Sequence, residues 1–170
     1  MDKKKLVIFD FDGVIVNTHG VSLPLNQITN PHLTEDLHYQ MSEGNFFASF
    51  ESETPIASFT PYPNYQEEYR KGILALSPPQ SLKEAIIALA NEYILVICSS
   101  SSGPTIEDFL KKEGLLELFS DIFGVEVHKS KIVKLQQLIE KYNLQKEDTV
   151  FVTDTLGDIL EAQEIGIKTI

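Results

Sequence analysis

Cysteine and basic residues are both scarce in this chain. Cys98 is the one cysteine among 170 residues, which excludes an internal disulfide and any metal site built from several cysteines. The 14 lysine and arginine residues stand against 25 aspartate and glutamate residues, for a formal net charge of -11. Apart from Lys3–Lys5 the basic residues form no cluster, so nucleic acid and anionic membrane surfaces are disfavoured as partners.

Long apolar runs are also missing. None reaches the roughly 20 residues that a membrane-spanning helix needs. The basic start MDKKK leads into a short apolar stretch that Asp10 interrupts, which does not fit a secretory signal. We therefore expect a cytoplasmic protein, monomeric or homodimeric, with one domain-sized core and room for a modest insertion.

Five apolar segments of strand length alternate with segments of helical periodicity. The predicted strands are Lys5–Phe9, Tyr93–Cys98, Asp121–Val127, Thr149–Thr153 and Ile167–Ile170. The predicted helices are Ser81–Asn91, Thr105–Lys112, Ile132–Tyr142 and Asp158–Ile165. Continuous apolar runs are typical of strands covered on both faces, and their alternation with helices predicts an α/β fold with a parallel sheet.

Residues 17–79 interrupt this alternation. The stretch is rich in proline and aromatic residues and holds most of the histidines. We predict that it is a small cap inserted after the first strand, while residues 1–16 and 80–170 form the core. Within it, NPHLTEDLHYQMSEGNFFASF is predicted to be helical and TPIASFTPYPNY to be a loop.

Polar side chains follow the predicted strands at the points where they end. Asp10 and Asp12 follow the first strand, directly before Gly13. The other candidates at such ends are Ser99, Lys129, Lys131, Asp154 and Asp158. Ligands of an open parallel sheet bind beyond the carboxyl ends of its strands. Several carboxylates at this edge repel each other unless a cation lies among them, and Mg²⁺ together with a lysine fits that need.

The pair Asp10 and Asp12 suits two different steps of phosphoryl transfer. Because the two aspartates are two residues apart in an extended segment, their side chains can point the same way. A carboxylate can act as a nucleophile that takes up a phosphoryl group, and a second acid can protonate the leaving oxygen and then activate water. Ser99 can bind a phosphate oxygen through its hydroxyl, and a lysine can supply charge to the transferring group.

Four segments, DFDGV, ILVICS, HKSK and VFVTDTLGD, resemble the four motifs of the haloacid dehalogenase superfamily in the same order. The resemblance covers the core and leaves out the insertion. It implies a Rossmann-like sheet of strand order 5-4-1-2-3 and a Mg²⁺-dependent phosphatase that acts on a small phosphorylated metabolite through an aspartyl-phosphate. The second acid, Asp12, favours a phosphatase, because the dehalogenases lack it and the transport ATPases carry threonine there.

The resemblance also implies a role for each acidic or hydroxyl candidate. Asp10 matches the nucleophile and Mg²⁺ ligand, and Asp12 matches the general acid/base, whose backbone carbonyl is also on the metal. Ser99 matches the phosphate-binding hydroxyl. Asp154 and Asp158 match the two acidic positions of the fourth motif, which belong to the metal site.

The lysine of the third motif is left with two candidates. Lys129 matches it by the spacing to the fourth motif and is favoured, whereas Lys131 lies closer to the spacing of some family members. Two other functions remain open at this point. The chain can be a phosphomutase of the same superfamily, or a protein that uses the fold for binding without catalysis.

Overall fold

A parallel five-stranded sheet forms the centre of the protein. The computed structural model describes residues 5–42 and 59–170. The strands are β1 Leu6–Phe9, β2 Ile94–Cys98, β3 Asp121–Phe123, β4 Thr149–Val152 and β5 Lys168–Thr169. They lie in the order β3-β2-β1-β4-β5, and every neighbouring pair is parallel. The predicted α/β fold and strand order are confirmed.

Helices connect the strands. In the described ranges they are α1 His19–Thr29, α2 Glu35–Ser42, α3 Tyr65–Leu74, α4 Gln80–Glu92, α5 Gly103–Glu113, α6 Lys131–Tyr142 and α7 Leu156–Glu164. The four helices predicted for the core correspond to α4, α5, α6 and α7, with ends that differ by at most two residues. Over the same ranges, no helix combines the length and the apolar character required to cross a membrane.

The apolar run of β1 is buried on both faces of the sheet. Val7 and Phe9 belong to one cluster, which includes Ile86 of α4 and Phe109 of α5. Leu6 and Ile8 belong to a second cluster, which includes side chains of α6 and α7. Successive side chains of a strand point to opposite faces, so a central strand covered on both sides needs an apolar residue at every position. This places the carboxyl end of β1 at the centre of the sheet edge.

Strand β3 is shorter than predicted. The prediction extended it to Val127, but it ends at Phe123, which pairs with the last residue of β2. Beyond that point Gly124 lies so close to Gly103 that a Cβ on Gly124 would come within 2.4 Å of the Gly103 nitrogen. The Val125 N–H donates to the Ser101 carbonyl at 3.0 Å. The chain therefore leaves the sheet toward the loop that follows β2.

The segment between β1 and α4 is helical in the described parts. Helix α2 lies in the stretch predicted to be helical, whereas α1 and α3 had no counterpart in the prediction. Helix α3 packs against both α1 and α5. Residues 43–58, which hold the rest of the predicted helix and the start of the predicted loop, lie outside the described residues. The division into a core and a cap at residues 17–79 stays a prediction.

A carboxylate at the end of α5 joins this segment to the core. The Glu113 side chain is 4% exposed and accepts hydrogen bonds from Lys112 at 2.7 Å, from Ser77 at 2.9 Å and from Lys83 of α4. Burial raises its pKa, but these hydrogen bonds outweigh burial and lower the pKa of Glu113 from its ordinary value of 4.5 to about 2. The ionised form is thus stabilised by folding.

We expect Glu113→Gln to destabilise the protein more at about pH 7 than at about pH 3. A carboxyl whose pKa is lowered by folding contributes stability above its unfolded value, and the contribution is lost as the pH falls through the folded value. Urea denaturation at both pH values measures the gap in free energy of unfolding between variant and parent. Glu107→Gln, on the exposed face of the same helix, is the control for loss of charge. A gap independent of pH would contradict the prediction.

Candidate active site at the carboxyl ends of the strands

Asp10 directly follows β1 and is 4% exposed. Its N–H donates to the Val152 carbonyl at 2.9 Å, which continues the alignment with β4. The Phe11 N–H donates to Asp10 Oδ1 at 2.7 Å, and Lys131 Nζ donates to Asp10 Oδ2 at 2.7 Å. Each oxygen of the Asp10 carboxylate therefore accepts a hydrogen bond, and the two bonds together fix the orientation of the carboxylate.

Lys131 is the lysine that reaches Asp10. It is the first residue of α6 and 6% exposed, and its Nζ also lies 2.5 Å from Asp158 Oδ2. Lys129, which the sequence analysis favoured for this position, is exposed on the loop before α6. The structure therefore places Lys131, and not Lys129, against Asp10, because the start of α6 directs the Lys131 side chain into the edge of the sheet.

Asp158 lies in the first turn of α7 and backs the lysine. Its Oδ2 accepts from Lys131 and, at 2.8 Å, from the Thr153 hydroxyl. Its N–H donates to the Thr155 hydroxyl, which caps the helix, at 3.4 Å. Burial raises the pKa of Asp158, but the charge and hydrogen bond of Lys131 outweigh this and keep it below the ordinary value. A carboxylate is also favoured here by the positive end of the helix dipole.

Asp12 is surrounded by three hydroxyl groups. Its Oδ2 accepts from Ser101 Oγ at 2.7 Å and from Ser99 Oγ at 3.2 Å. Its Oδ1 accepts from the Tyr69 hydroxyl, which lies 3.3 Å from Ser101 Oγ. Three donors from two different parts of the chain fix the direction of this carboxylate.

Tyr69 and Ser101 are site residues that the sequence analysis missed. Tyr69 belongs to α3 and is buried, and it is separated from Asp12 by 57 positions along the chain. Four positions separate Tyr65 from Tyr69, a helical spacing that could have predicted α3. Nothing in the local pattern shows which element the two rings face.

A second buried lysine supports the loop that carries Ser99. Lys134 of α6 is fully buried, and its Nζ donates to the Ser99 carbonyl and lies 3.5 Å from the Gly124 carbonyl. Burial lowers the pKa of Lys134. The contact holds the end of β2 against α6, so the position of the Ser99 hydroxyl depends on α6 as well as on the sheet.

Asp154 lies against the backbone that follows Asp12. Gly13 has φ +79°, and a Cβ on it would come within 1.9 Å of Asp154 Oδ2. Only glycine fits here, because both the left-handed backbone and the nearby carboxylate exclude a side chain. The loop after β4 thus delivers the Asp154 carboxylate to the end of β1.

The site brings more negative than positive charge to the edge of the sheet. Asp10, Asp12, Asp154 and Asp158 gather there, and Lys131 contacts two of them. Burial raises the pKa of Asp10 well above its ordinary value; Lys131 lowers it, while the charges of Asp158 and Asp12 raise it further. A further cation would offset this excess.

The oxygen donors at this edge fit Mg²⁺. In residues 5–42 and 59–170 no group of three acidic, histidine or cysteine side chains is already assembled as a metal site. Mg²⁺ typically takes only one or two carboxylates and fills its remaining positions with waters and substrate phosphate. The buried Asp10 carboxylate and the Asp154 carboxylate, which occupies the space beside Gly13, are donors of this kind.

Known proteins share both the sequence pattern and the fold. A model of the haloacid dehalogenase-like hydrolases matches residues 7–170. The phosphoserine phosphatase of Methanocaldococcus jannaschii is 27% identical over 184 residues, covering 98% of this chain and 84% of that protein. The phosphoglycolate phosphatase of Synechococcus elongatus is 27% identical over 173 residues, covering 95% and 80%. The magnesium-bound structure of the HAD hydrolase YfnB from Bacillus subtilis superposes with a TM-score of 0.68 at 18% identity, covering 99% and 88%.

We expect Lys131→Met to lower the free energy of unfolding by about 3 kcal/mol, because it leaves two buried carboxylates without their cation. Urea denaturation in the presence of EDTA measures the loss without any contribution from bound metal. Lys129→Met is the matched control, and as a surface substitution it should change stability by about 0.5 kcal/mol or less. Equal losses in the two variants would contradict the placement of Lys131.

Proposed function

Because the chain belongs to the haloacid dehalogenase-like hydrolases, we propose that it is a Mg²⁺-dependent phosphatase that hydrolyses a small phosphorylated metabolite through a phosphorylated Asp10. The observation that carries the proposal is the contact of Lys131 with Asp10, beside a second carboxylate, Asp12, that is held by hydroxyl groups. The likeness to phosphoserine and phosphoglycolate phosphatases supports it.

In the first step the Asp10 carboxylate attacks the phosphorus atom of the ester. The bond between phosphorus and the leaving oxygen breaks, and Asp12 in its protonated form gives its proton to that oxygen. Hydrogen bonds from the Phe11 N–H and from Lys131 orient the Asp10 carboxylate. Ser99 and Lys131 are the donors available to the phosphoryl oxygens as negative charge develops on them.

In the second step the Asp12 carboxylate takes a proton from water, whose oxygen attacks the phosphorus of the phosphorylated Asp10. The bond between phosphorus and Asp10 breaks, so that phosphate leaves and both carboxyl groups return to their starting forms. Tyr69, Ser99 and Ser101 orient Asp12 for both proton transfers.

Asp10, the Asp12 carbonyl and Asp154 would hold the Mg²⁺ ion. When bound, the ion supplies positive charge to the phosphoryl group. Asp158 is also predicted to belong to the metal site. Its carboxylate contacts Lys131 and Thr153, so it positions the lysine.

We expect Asp10→Asn to lower the release of phosphate from p-nitrophenyl phosphate by more than about 100-fold in the presence of Mg²⁺, because it removes the nucleophile. Removal of divalent ions with EDTA should abolish the activity of the parent, and added Mg²⁺ should restore it. Asp36→Asn, on the exposed face of α2, is the control. Equal turnover by Asp10→Asn and the parent would exclude the mechanism, and turnover of bisphosphates without net phosphate release would favour a phosphomutase.

We expect Tyr69→Phe to lower kcat by about tenfold, the effect of losing one hydrogen bond to a charged group, with little change in KM. The variant keeps the buried ring and loses only the hydroxyl that orients Asp12. Steady-state kinetics with p-nitrophenyl phosphate separate the two constants. Tyr142→Phe, which removes a hydroxyl that contacts Asp121 at the far end of α6, is the matched control. A rise in KM with kcat unchanged would show that Tyr69 binds substrate and does not position Asp12.

A further inference from the structure

The segment between β1 and α4 contains almost no positive charge. In residues 17–79 Arg70 and Lys71 are the only lysine or arginine residues. This count comes from the sequence, so it includes residues 43–58, which contain no histidine either. Any cation that this segment offers to a substrate therefore has to come from these two side chains or from a histidine.

Both basic side chains are already paired with carboxylates. Arg70 donates through Nε at 2.8 Å and Nη2 at 2.6 Å to Asp108 Oδ2 of α5. Lys71 lies 2.8 Å from Glu67 and 2.9 Å from Glu68 on its own helix. Neither charge is directed at Asp12.

The segment also contains three histidines, His19, His32 and His38. Burial and the nearby His19 lower the pKa of His38 to about 4, so it is neutral near pH 7. The ring of His19 lies 3.2 Å from the Glu35 carboxylate. His32 is exposed in the turn before α2.

Within residues 17–42 and 59–79, the groups shown in contact with Asp12 are uncharged. The Tyr65 and Tyr69 rings stack with centroids 5.4 Å apart, and the Tyr69 hydroxyl contacts Asp12. Phenol hydroxyls are uncharged near pH 7 and can both donate and accept hydrogen bonds. Because Asp12 exchanges its proton with the leaving oxygen, a leaving group bound there meets aromatic rings and hydroxyls.

Negative charge continues along the neighbouring groove. A groove of about 410 Å³ lies between α3 and the start of α5, and Glu67, Arg70, Ser102 and Glu126 are among its lining residues. Glu126 accepts the Gly103 N–H at 2.9 Å, so its carboxylate already takes one of the donors at the start of α5. With Arg70 paired, this groove is unfavourable for an anionic group.

We propose that the leaving group of the substrate is an uncharged polyhydroxy alcohol, such as a sugar or a polyol, and that esters whose leaving group carries a carboxylate are poor substrates. The inference rests on the proposed phosphatase function. A carboxylate removed from water needs a cation or several N–H donors, whereas a hydroxyl needs only partners such as the phenol groups present here. Phosphoserine and phosphoglycolate both carry carboxylates, so the chain would differ in this respect from the two relatives that bear their names.

Two matched pairs of esters test the inference with free phosphate as the readout. The pairs are 2-hydroxyethyl phosphate with phosphoglycolate, and glycerol 3-phosphate with 3-phosphoglycerate, and sugar phosphates complete the neutral class. We expect kcat/KM to be at least about tenfold higher for the neutral member of each pair, the discrimination that one unpaired buried charge readily gives. Equal or higher values for the carboxylates would overturn the inference.

The same assay separates this inference from the proposed function. Turnover of p-nitrophenyl phosphate without turnover of any sugar or polyol phosphate would overturn the inference and leave the phosphatase function standing. A carboxylate preference that Lys129→Ala removes would also overturn it, because the core would then supply the missing cation. No phosphate release from any ester would contradict the function and the inference together.

A variant tests the part of the inference that depends on the pairing of Arg70 with Asp108. Asp108→Ala releases the guanidinium, so we expect the preference for 2-hydroxyethyl phosphate over phosphoglycolate to fall severalfold. Glu107→Ala removes the same charge from the exposed face of the same helix and should leave the preference unchanged. A preference in Asp108→Ala equal to that of the parent would overturn the role given to the paired arginine.

Discussion

The site depends on one pair of contacts: the buried ammonium group of Lys131 lies between the carboxylates of Asp10 and Asp158. It joins the end of β1, the start of α6 and the start of α7, and each of these elements has to be in place for the charges to be compensated. A complete buried ion pair adds little net stability to a protein. Removing one partner leaves an uncompensated buried charge and lowers the free energy of unfolding by about 3–5 kcal/mol. In the proposed mechanism the same arrangement holds the nucleophile and a cation in fixed positions before substrate binds, which is the condition for electrostatic stabilisation of phosphoryl transfer.

A second link joins the site to the segment between β1 and α4. Asp12 belongs to the core, yet one of its three hydroxyl partners is Tyr69 of α3, which packs against α1 and α5. Movement of α3 relative to the core would change the direction of the Asp12 carboxylate. The hydrogen bond from Tyr69 thus couples Asp12, the proposed proton donor, to the segment between β1 and α4.

Much of the core could be predicted because its causes are local. Strands covered on both faces require unbroken apolar runs, and the four core helices show their buried faces by spacing. The contact of Lys131 with Asp10 could not be foreseen from the sequence, because it depends on where α6 begins. Ser130 is the last residue before the helix, with an extended backbone, and the residue after it turns into the site. The role of Tyr69 could not be predicted at all, since only packing brings α3 to Asp12.

The distribution of charge connects the fold with selectivity. The chain is strongly acidic, so a dianionic phosphate is not attracted by the protein as a whole and must be bound by local cations and donors. Lys131 and the Ser99 hydroxyl lie at one edge of the sheet, whereas Glu67 of α3 and Glu126, which follows β3, line the groove between α3 and the start of α5. Under the proposed selectivity, attraction is limited to the phosphoryl group. A second negative charge on the substrate would leave that small region and meet carboxylates, so the imbalance that favours a cation at Asp10 would also favour uncharged groups in the rest of the ligand.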